Sequence, residues 1–390
     1  MKKYSMSATA LLLLSQAAFA SEFGPLNVVI TASRTAEKAD DTLAAMTVIT
    51  RDDIERLQAK SIRDVLQGTA GINITNNGGE GKSTSIFLRG TESDHVLVLI
   101  DGIKVGSATL GTTAFQHIPI EQVERIEVVR GPMSSLYGSE AIGGVIQIFT
   151  RKGGGELKPF FSIGGGSYNT YNASLGVSGG GEQGWFNLSA SGINTNGFNA
   201  CNGKPSPGGA GCFTVEPDDD GYKNLSGSLR AGYKFDGGVE VDIHALQSRG
   251  NTEFDGSYVN ESESVQSVFG GSARFSPLDI WQMSLSAGQS IDKSDNFKDD
   301  SFKSRFESKR DTVSFLNDIS ITKNNLLTVG VDYQNDRVDG TTAYAVTSRD
   351  NKGLFAQYKG SLAAQDIQLS MRRDDNEQFG GYNTGSAAWG

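Results

Sequence analysis

The run Glu216-Pro217-Asp218-Asp219-Asp220-Gly221 sets alternate carboxylates ahead of a glycine. That spacing suits Ca²⁺, a hard cation that takes about six to eight oxygen ligands. A charge run of this kind is also the ordinary mark of a solvated loop tip, and the residues alone leave both readings open. Shortly before it, Cys201 and Cys212 bound the stretch CNGKPSPGGAGC and are the only cysteines of the chain. In an oxidising compartment they read as a disulfide closing a small loop, worth on the order of 3 kcal/mol by loop entropy. A metal pair is disfavoured, because His95, His117 and His244 are scattered and match no zinc spacing. No nucleophile elbow, phosphate-binding loop or catalytic metal spacing occurs, which argues against an enzyme.

These groups lie in an exported chain. Residues 1–20 read as a secretory signal peptide, with Lys2 and Lys3 as its positive end, Ala8 to Leu14 as its apolar core and Ala18-Phe19-Ala20 as its cleavage site. The apolar run is far short of the ~20 residues that span a bilayer as a helix. No later segment approaches that length, so any membrane crossing falls to strands. With 35 Lys+Arg against 45 Asp+Glu, the chain is acidic and unsuited to nucleic acid. Glycine stands at 49 of 390 residues, well above the ~7% average. The mean hydropathy is polar, which a β-barrel accommodates because only alternate residues face lipid.

Two regions differ in period. Residues 25–150 read as mixed α/β: a strand at Thr47–Thr50, a helix through Ile54 and Leu57 capped by Asp52, and a second helix opened by Ser61 and ended by Gly68 and Gly71. Strands follow at Ile72–Ile74, Ile86–Gly90 and His95–Gly102, the last continuously apolar and so expected to be buried on both faces. From about residue 155 the pattern alternates. Leu225, Leu229, Tyr233 and Phe235 interleave with Ser226, Ser228, Arg230 and Lys234. The period recurs at 186–190, 239–245, 281–287, 327–333 and 354–362, as in strands with one apolar and one wet face. About eleven such segments are expected, each near ten residues in length.

The junction of the regions is the most specific stretch. In VERIEVVRGPMSSLYGSEAIGGVIQI (residues 123–148), a strand runs into Arg130-Gly131-Pro132, then a small-residue segment, then Gly143-Gly144 and a second strand. It closely resembles the signature that ends the plug domain of TonB-dependent outer-membrane receptors. The resemblance implies a transmembrane antiparallel β-barrel, here about 11 of ~22 strands, with an N-terminal α/β plug. The expected division is a plug at 33–152 and the N-terminal part of the barrel at 155–390. Because the chain stops in mid-pattern at Ala387-Ala388-Trp389-Gly390, it is expected to be a piece of a receptor of roughly 600 residues, extrapolated from strand count.

Within the family the resemblance narrows to the cobalamin receptors, carried by VITASR, VITRDDIERLQAKSIRDVLQ, GINITNNGGEGKSTSIFLRGTESDHVLVLIDG, DGSY and RRDDNEQFG. A ferric-siderophore receptor shares the fold and is the alternative. A passive porin or adhesin would lack the plug and the PLNVVITA segment. The resemblance implies that Pro25, Leu26, Asn27, Val28, Val29, Ile30, Thr31 and Ala32 form a TonB box, an extended segment that adds as a strand to TonB of the inner-membrane complex. It implies substrate contacts at Ser83, Ser85, Glu92, Leu110 and Gly111. Ser85 matches directly, Ser83 and Glu92 replace other residues, and the Leu110-Gly111 loop is one residue shorter. It also implies calcium in the outer loops, held by Asn199, Glu216, Asp218, Asp220 and Asp255, with Glu261 or Glu263 as a further acidic ligand. Asn199 stands for an aspartate and Glu216 for an amide.

Overall fold

A computed structural model of the chain describes residues 28–29, 31–201, 214, 216–362 and 365–390. The first region contains strands β1 (Val28–Val29), β2 (Glu37–Lys38), β3 (Ala45–Thr50), β4 (Ile72–Asn76), β5 (Thr84–Leu88), β6 (Val96–Ile100), β7 (Ile103–Val105), β8 (Val123–Arg130) and β9 (Gly144–Thr150). Its helices are α1 (Arg51–Leu57), α2 (Ile62–Leu66) and α3 (Ser134–Tyr137).

Strand β6 is why this region has a core. All five of its residues are buried, and it lies between parallel β9 and antiparallel β7 in a sheet ordered β3-β8-β9-β6-β7. Ile54, Ile62, Val65 and Leu66 of the two helices pack with Val98, Ile126 and Ile148 of that sheet. The expected cap at Asp52 is corrected. Thr50 is the N-cap of α1: its Oγ1 accepts the Asp53 amide at 3.3 Å, while Asp53 Oδ2 accepts the Thr50 amide at 2.9 Å. This is a capping box in which aspartate takes the place usually held by glutamate. Thr50 ends β3 as well, and that double duty hides it from a reading by segments. Ser61 caps α2 as expected, accepting from the Asp64 amide at 3.2 Å.

Among the described residues the second region is one sheet of twelve strands, each antiparallel to its sequence neighbour. They are β10 (Lys158–Gly166), β11 (Thr170–Gly180), β12 (Gly184–Thr195), β13 (Tyr222–Lys234), β14 (Glu240–Glu253) and β15 (Glu261–Leu278). Then come β16 (Trp281–Lys298), β17 (Ser301–Thr322), β18 (Asn325–Gly340), β19 (Ser348–Leu362), β20 (Gln365–Asn376) and β21 (Gly380–Trp389). The count exceeds the expected eleven by one. The strands are also longer than expected, reaching 22 residues in β17. Their polar ends run beyond the apolar band, where alternation of hydropathy no longer marks them.

The polarity of this sheet is inverted relative to a soluble sandwich. Leu225, Ile243, Phe269, Leu285 and Leu354 are exposed on one face, while Ser226, Asp242, Gln266, Arg310 and Arg372 are buried on the other. The polar face wraps the first region. Arg230 of β13 pairs with Asp101 at 2.8 Å, Arg310 of β17 with Glu140 at 2.7 Å, and Arg372 of β20 donates to Leu136 O at 3.2 Å. Apolar contacts also cross this polar seam, Phe355 and Val268 of the wall packing in the plug's clusters. Ile103 at the start of β7 sits against Gly270 and Gly288, which are register partners on β15 and β16, and a Cβ at either would collide with its side chain. Connections at one end of the sheet include residues 196–221, 254–260 and 341–347, whereas those at the other end are as short as 279–280 and 323–324. Long loops at one end and tight turns at the other are the habit of outer-membrane barrels. Among the described residues no helix is long and apolar enough to cross a membrane.

Candidate functional site

The long-loop end holds a cavity of about 970 Å³ between the plug loop joining β4 to β5 and the connections after β12 and β14. Asn76 organises the plug side. Its Nδ2 donates to Lys82 O at 3.2 Å and Thr84 Oγ1 at 2.9 Å, and its Oδ1 accepts the Gly78 amide at 3.1 Å. Gly81 has φ +74, and any Cβ there would strike the Tyr222 ring, so the loop approaches the wall as only glycine allows. Thr252 Oγ1 of β14 donates to Gly81 O at 3.3 Å.

Two plug residues that the sequence reading passed over carry most of this contact. Lys82 is 3% exposed, and its Nζ donates to Asp220 O at 3.0 Å and Gly221 O at 3.2 Å. Burial lowers its pKa, opposed by Asp220 and Glu253. His117 is 5% exposed with its pKa pushed down to about 4 by burial. Its Nδ1 lies 3.1 Å from Tyr222 Oη. Because that phenol donates to Gln116 O at 3.0 Å, the imidazole carries the proton between them. The spacing of the glycines in NNGGEGKS was the available signal for a close-packed loop, but nothing local marks Lys82 as buried.

Of the expected substrate residues, Ser83 is exposed and lines the cavity. Ser85 is half-buried in β5 opposite Thr75, and Glu92 is exposed at the start of the turn Ser93–His95. Leu110 is 69% exposed, and Gly111 (φ +70) sits against Asp94, close in sequence to Glu92; the cavity lining includes Ser83 but not these three residues.

The acidic run divides. Glu216, Asp218 and Asp255 place carboxylate oxygens within 4.8 Å of one another. Asp255 Oδ2 is buried without a hydrogen-bond partner. Burial and its acidic neighbours raise the Asp255 pKa. Glu216 also pairs with Lys298. Asp220 turns away: it is buried and accepts the Ala200 amide at 2.8 Å. Asn199 is exposed, with its Oδ1 accepting the Cys201 amide at 3.0 Å. Glu261 is bonded to Asn251 Nδ2 at 2.6 Å, and Glu263 is exposed. Cys201 is buried and disulfide-bonded; Cys212 lies outside the described residues.

The short-turn end holds the N-terminal segment. Of residues 25–32, Pro25, Leu26, Asn27 and Ile30 lie outside the described residues, and Val28–Val29 pair with Glu37–Lys38. Thr31 is fully buried. Its amide donates to Glu127 Oε2 at 3.0 Å, its hydroxyl lies 2.6 Å from the same oxygen and 2.9 Å from Gln147 Oε1, and its carbonyl accepts Tyr137 Oη at 3.0 Å. Ala32 is buried in the plug's second apolar cluster. Next in sequence, Arg34 reaches the wall, pairing with Asp332 at 2.8 Å and lying over the Phe355 ring at 4.6 Å.

A plug with its own core, set against strands that are polar inward and apolar outward, defines part of an outer-membrane β-barrel with its plug. Residues 38–145 match the TonB-dependent receptor plug domain. It is 33% identical over 390 residues to the vitamin B12 transporter BtuB of Photobacterium profundum, covering 98% of this chain and 62% of that protein. The Vibrio cholerae serotype O1 BtuB is 32% identical over 382 residues, covering 93% and 59%. The chain thus spans about three-fifths of the length of these relatives. Among solved structures, the siderophore receptor PirA of Acinetobacter baumannii superposes with a TM-score of 0.72 at 20% identity, covering 88% of this chain and 58% of that one. A ferric enterobactin receptor (PfeA) mutant from Pseudomonas aeruginosa gives 0.72 at 18%, covering 93% and 61%. At such identities the structures speak for the fold alone.

Proposed function

We propose that the protein takes part in TonB-dependent import across the outer membrane, with cobalamin as its substrate. The observation that carries the reading is the arrangement of two ends on one plug. A large cavity opens among the long loops, while the N-terminal segment is anchored at the short turns through Thr31 and Arg34. A volume of about 970 Å³ lies at the top of the ~300–1,000 Å³ usual for small-molecule sites, as suits a bulky ligand. The similarity to vitamin B12 transporters favours cobalamin over a ferric siderophore, since it holds over nearly the whole chain at a higher identity than any siderophore receptor named above.

In this reading Ser83 and the cavity wall contact the ligand, with Ser85, Glu92, Leu110 and Gly111 completing the apical surface. Calcium would be held by Glu216, Asp218 and Asp255, where the unpartnered Asp255 oxygen fits a cation. Bound there, it would neutralise the carboxylates and draw the two connections together. Asn199 and Asp220 would support the loop rather than ligate. Ligand occupancy would favour release of residues 25–32 toward TonB, a coupling that must act in both directions. Equilibrium binding to the receptor in outer membranes tests the ligand. Cyanocobalamin should bind tightly, more weakly after chelation of calcium, and a ferric catecholate siderophore should not compete. Siderophore binding with no cobalamin response would overturn the assignment.

A further inference from the structure

Lys82 is a buried cation that transport chemistry does not require. Among the described residues it forms no ion pair, although Asp220 and Glu253 lie near enough to act on it electrostatically. Its ammonium points instead at main chain, with Nζ donating to Asp220 O at 3.0 Å, Gly221 O at 3.2 Å and Glu80 O at 3.5 Å. The first two acceptors belong to the connection after β12 and the third to the plug. An ammonium offers three donors and no acceptor, so its capacity is filled by carbonyl oxygens from both sides of the cavity rim. The surroundings are fitted to this contact. Gly78 passes the Lys82 stem and Ala200 where a Cβ would crowd both. The Asp220 carboxylate is held by the Ala200 amide, and the Gly221 amide by Glu253 Oε2 at 3.1 Å.

We propose that Lys82 is a built-in cation that clamps Asp220–Gly221, where the connection after β12 meets β13, to the apical loop of the plug, so that floor and wall of the ligand cavity move as one body there. The role resembles that of a bound metal ion, which also gathers carbonyls and offsets carboxylates, but the charge is covalently part of the plug. The acidic loop therefore has two anchors of different kinds. Lys82 holds the Asp220–Gly221 side without any exchangeable ion, and the Glu216, Asp218 and Asp255 carboxylates form the other side. Lys82 is a positioning residue: it faces the cavity rim and acts on the ligand through the loop. Its consequence for affinity rests on the cobalamin reading; the clamp itself does not.

The test uses the whole receptor in detergent micelles, with Lys82→Met and Lys82→Gln. Both are one atom shorter than lysine and equal to each other in length, and only glutamine keeps an uncharged donor. Hydrogen exchange of the peptide covering 216–222 is measured with calcium chelated. Loss of bonds to a charged donor should speed exchange about ten-fold or more in the methionine variant and by less in the glutamine variant, with exchange in β16–β18 unchanged. Exchange within about two-fold of the wild type in both variants, or equal acceleration in both, would overturn the clamp, since packing alone does not distinguish them. Cyanocobalamin affinity is measured on the same samples. An exchange response without an affinity change leaves the clamp standing and refutes the cobalamin cavity.

Discussion

Acidification should loosen the plug from the wall through His117. The imidazole is 5% exposed, its pKa is pushed down to about 4 by burial, and it bridges the plug to Tyr222 of the wall. The folded value lies below the ordinary 6.5, so the unfolded plug binds the proton more readily. Stability is therefore complete above the unfolded value and falls as pH drops through the window from 6.5 toward 4. At ~1.36 kcal/mol per unit the whole gap is worth about 3 kcal/mol. Integrating the linkage from about pH 8 to about pH 5 gives about 2 kcal/mol. His117→Asn keeps a donor toward Tyr222 and removes the titration. The assay is hydrogen exchange over β8 and β9, corrected for the chemical rate, in both proteins across the window. Exchange in the wild type should accelerate about thirty-fold relative to the variant as pH falls. Glu80 and Glu121, whose carboxyls burial raises, titrate in both proteins and cancel in the difference. Parallel profiles would refute the assignment of this pH sensitivity to His117.

Three further outcomes follow from the packing. Thr31→Val keeps the shape and leaves the buried Glu127 carboxylate one donor short; it should weaken docking of the N-terminal segment by about 1–3 kcal/mol, seen as faster proteolysis ahead of residue 31. Ile103→Ala should destabilise the plug by about 2–5 kcal/mol in urea titrations, because the wall glycines cannot close over the space. Gly288→Val should cost about 1–3 kcal/mol or more alone, and only part of that cost should be relieved in the Ile103→Ala background, since a Cβ there also meets the Phe269 carbonyl at 2.7 Å; a double-mutant cycle reads the non-additivity.

The parts most legible in the sequence were those written in a repeating period. Alternation at Leu225–Phe235 revealed the wall, and the unbroken apolar run Val96–Ile100 revealed the centre of the plug sheet. Strand lengths were not legible, because ends such as Ser301–Arg305 leave the apolar band and carry no alternation. The acidic run was visible as chemistry, yet its partition was not. Asp220 lies two residues from Asp218 but turns to Ala200, while Asp255 joins from a different connection. Lys82 and His117 escaped notice for the same reason. Each is buried by a wall segment more than a hundred residues away, and no local spacing records that contact. Thr31 belongs to an apparently extended tail, and only the fold brings Glu127 and Gln147 to it.

The central claim is that one plug joins an outer ligand cavity to an inner coupling segment. Energised uptake of radiolabelled cyanocobalamin tests it most directly, in cells carrying the receptor with or without Val29→Pro. The proline removes a main-chain donor from β1, where a partner strand would add. The account predicts that uptake falls to the level of cells lacking TonB while binding at the cell surface stays intact. Undiminished uptake in the proline variant, or uptake independent of TonB, would contradict it.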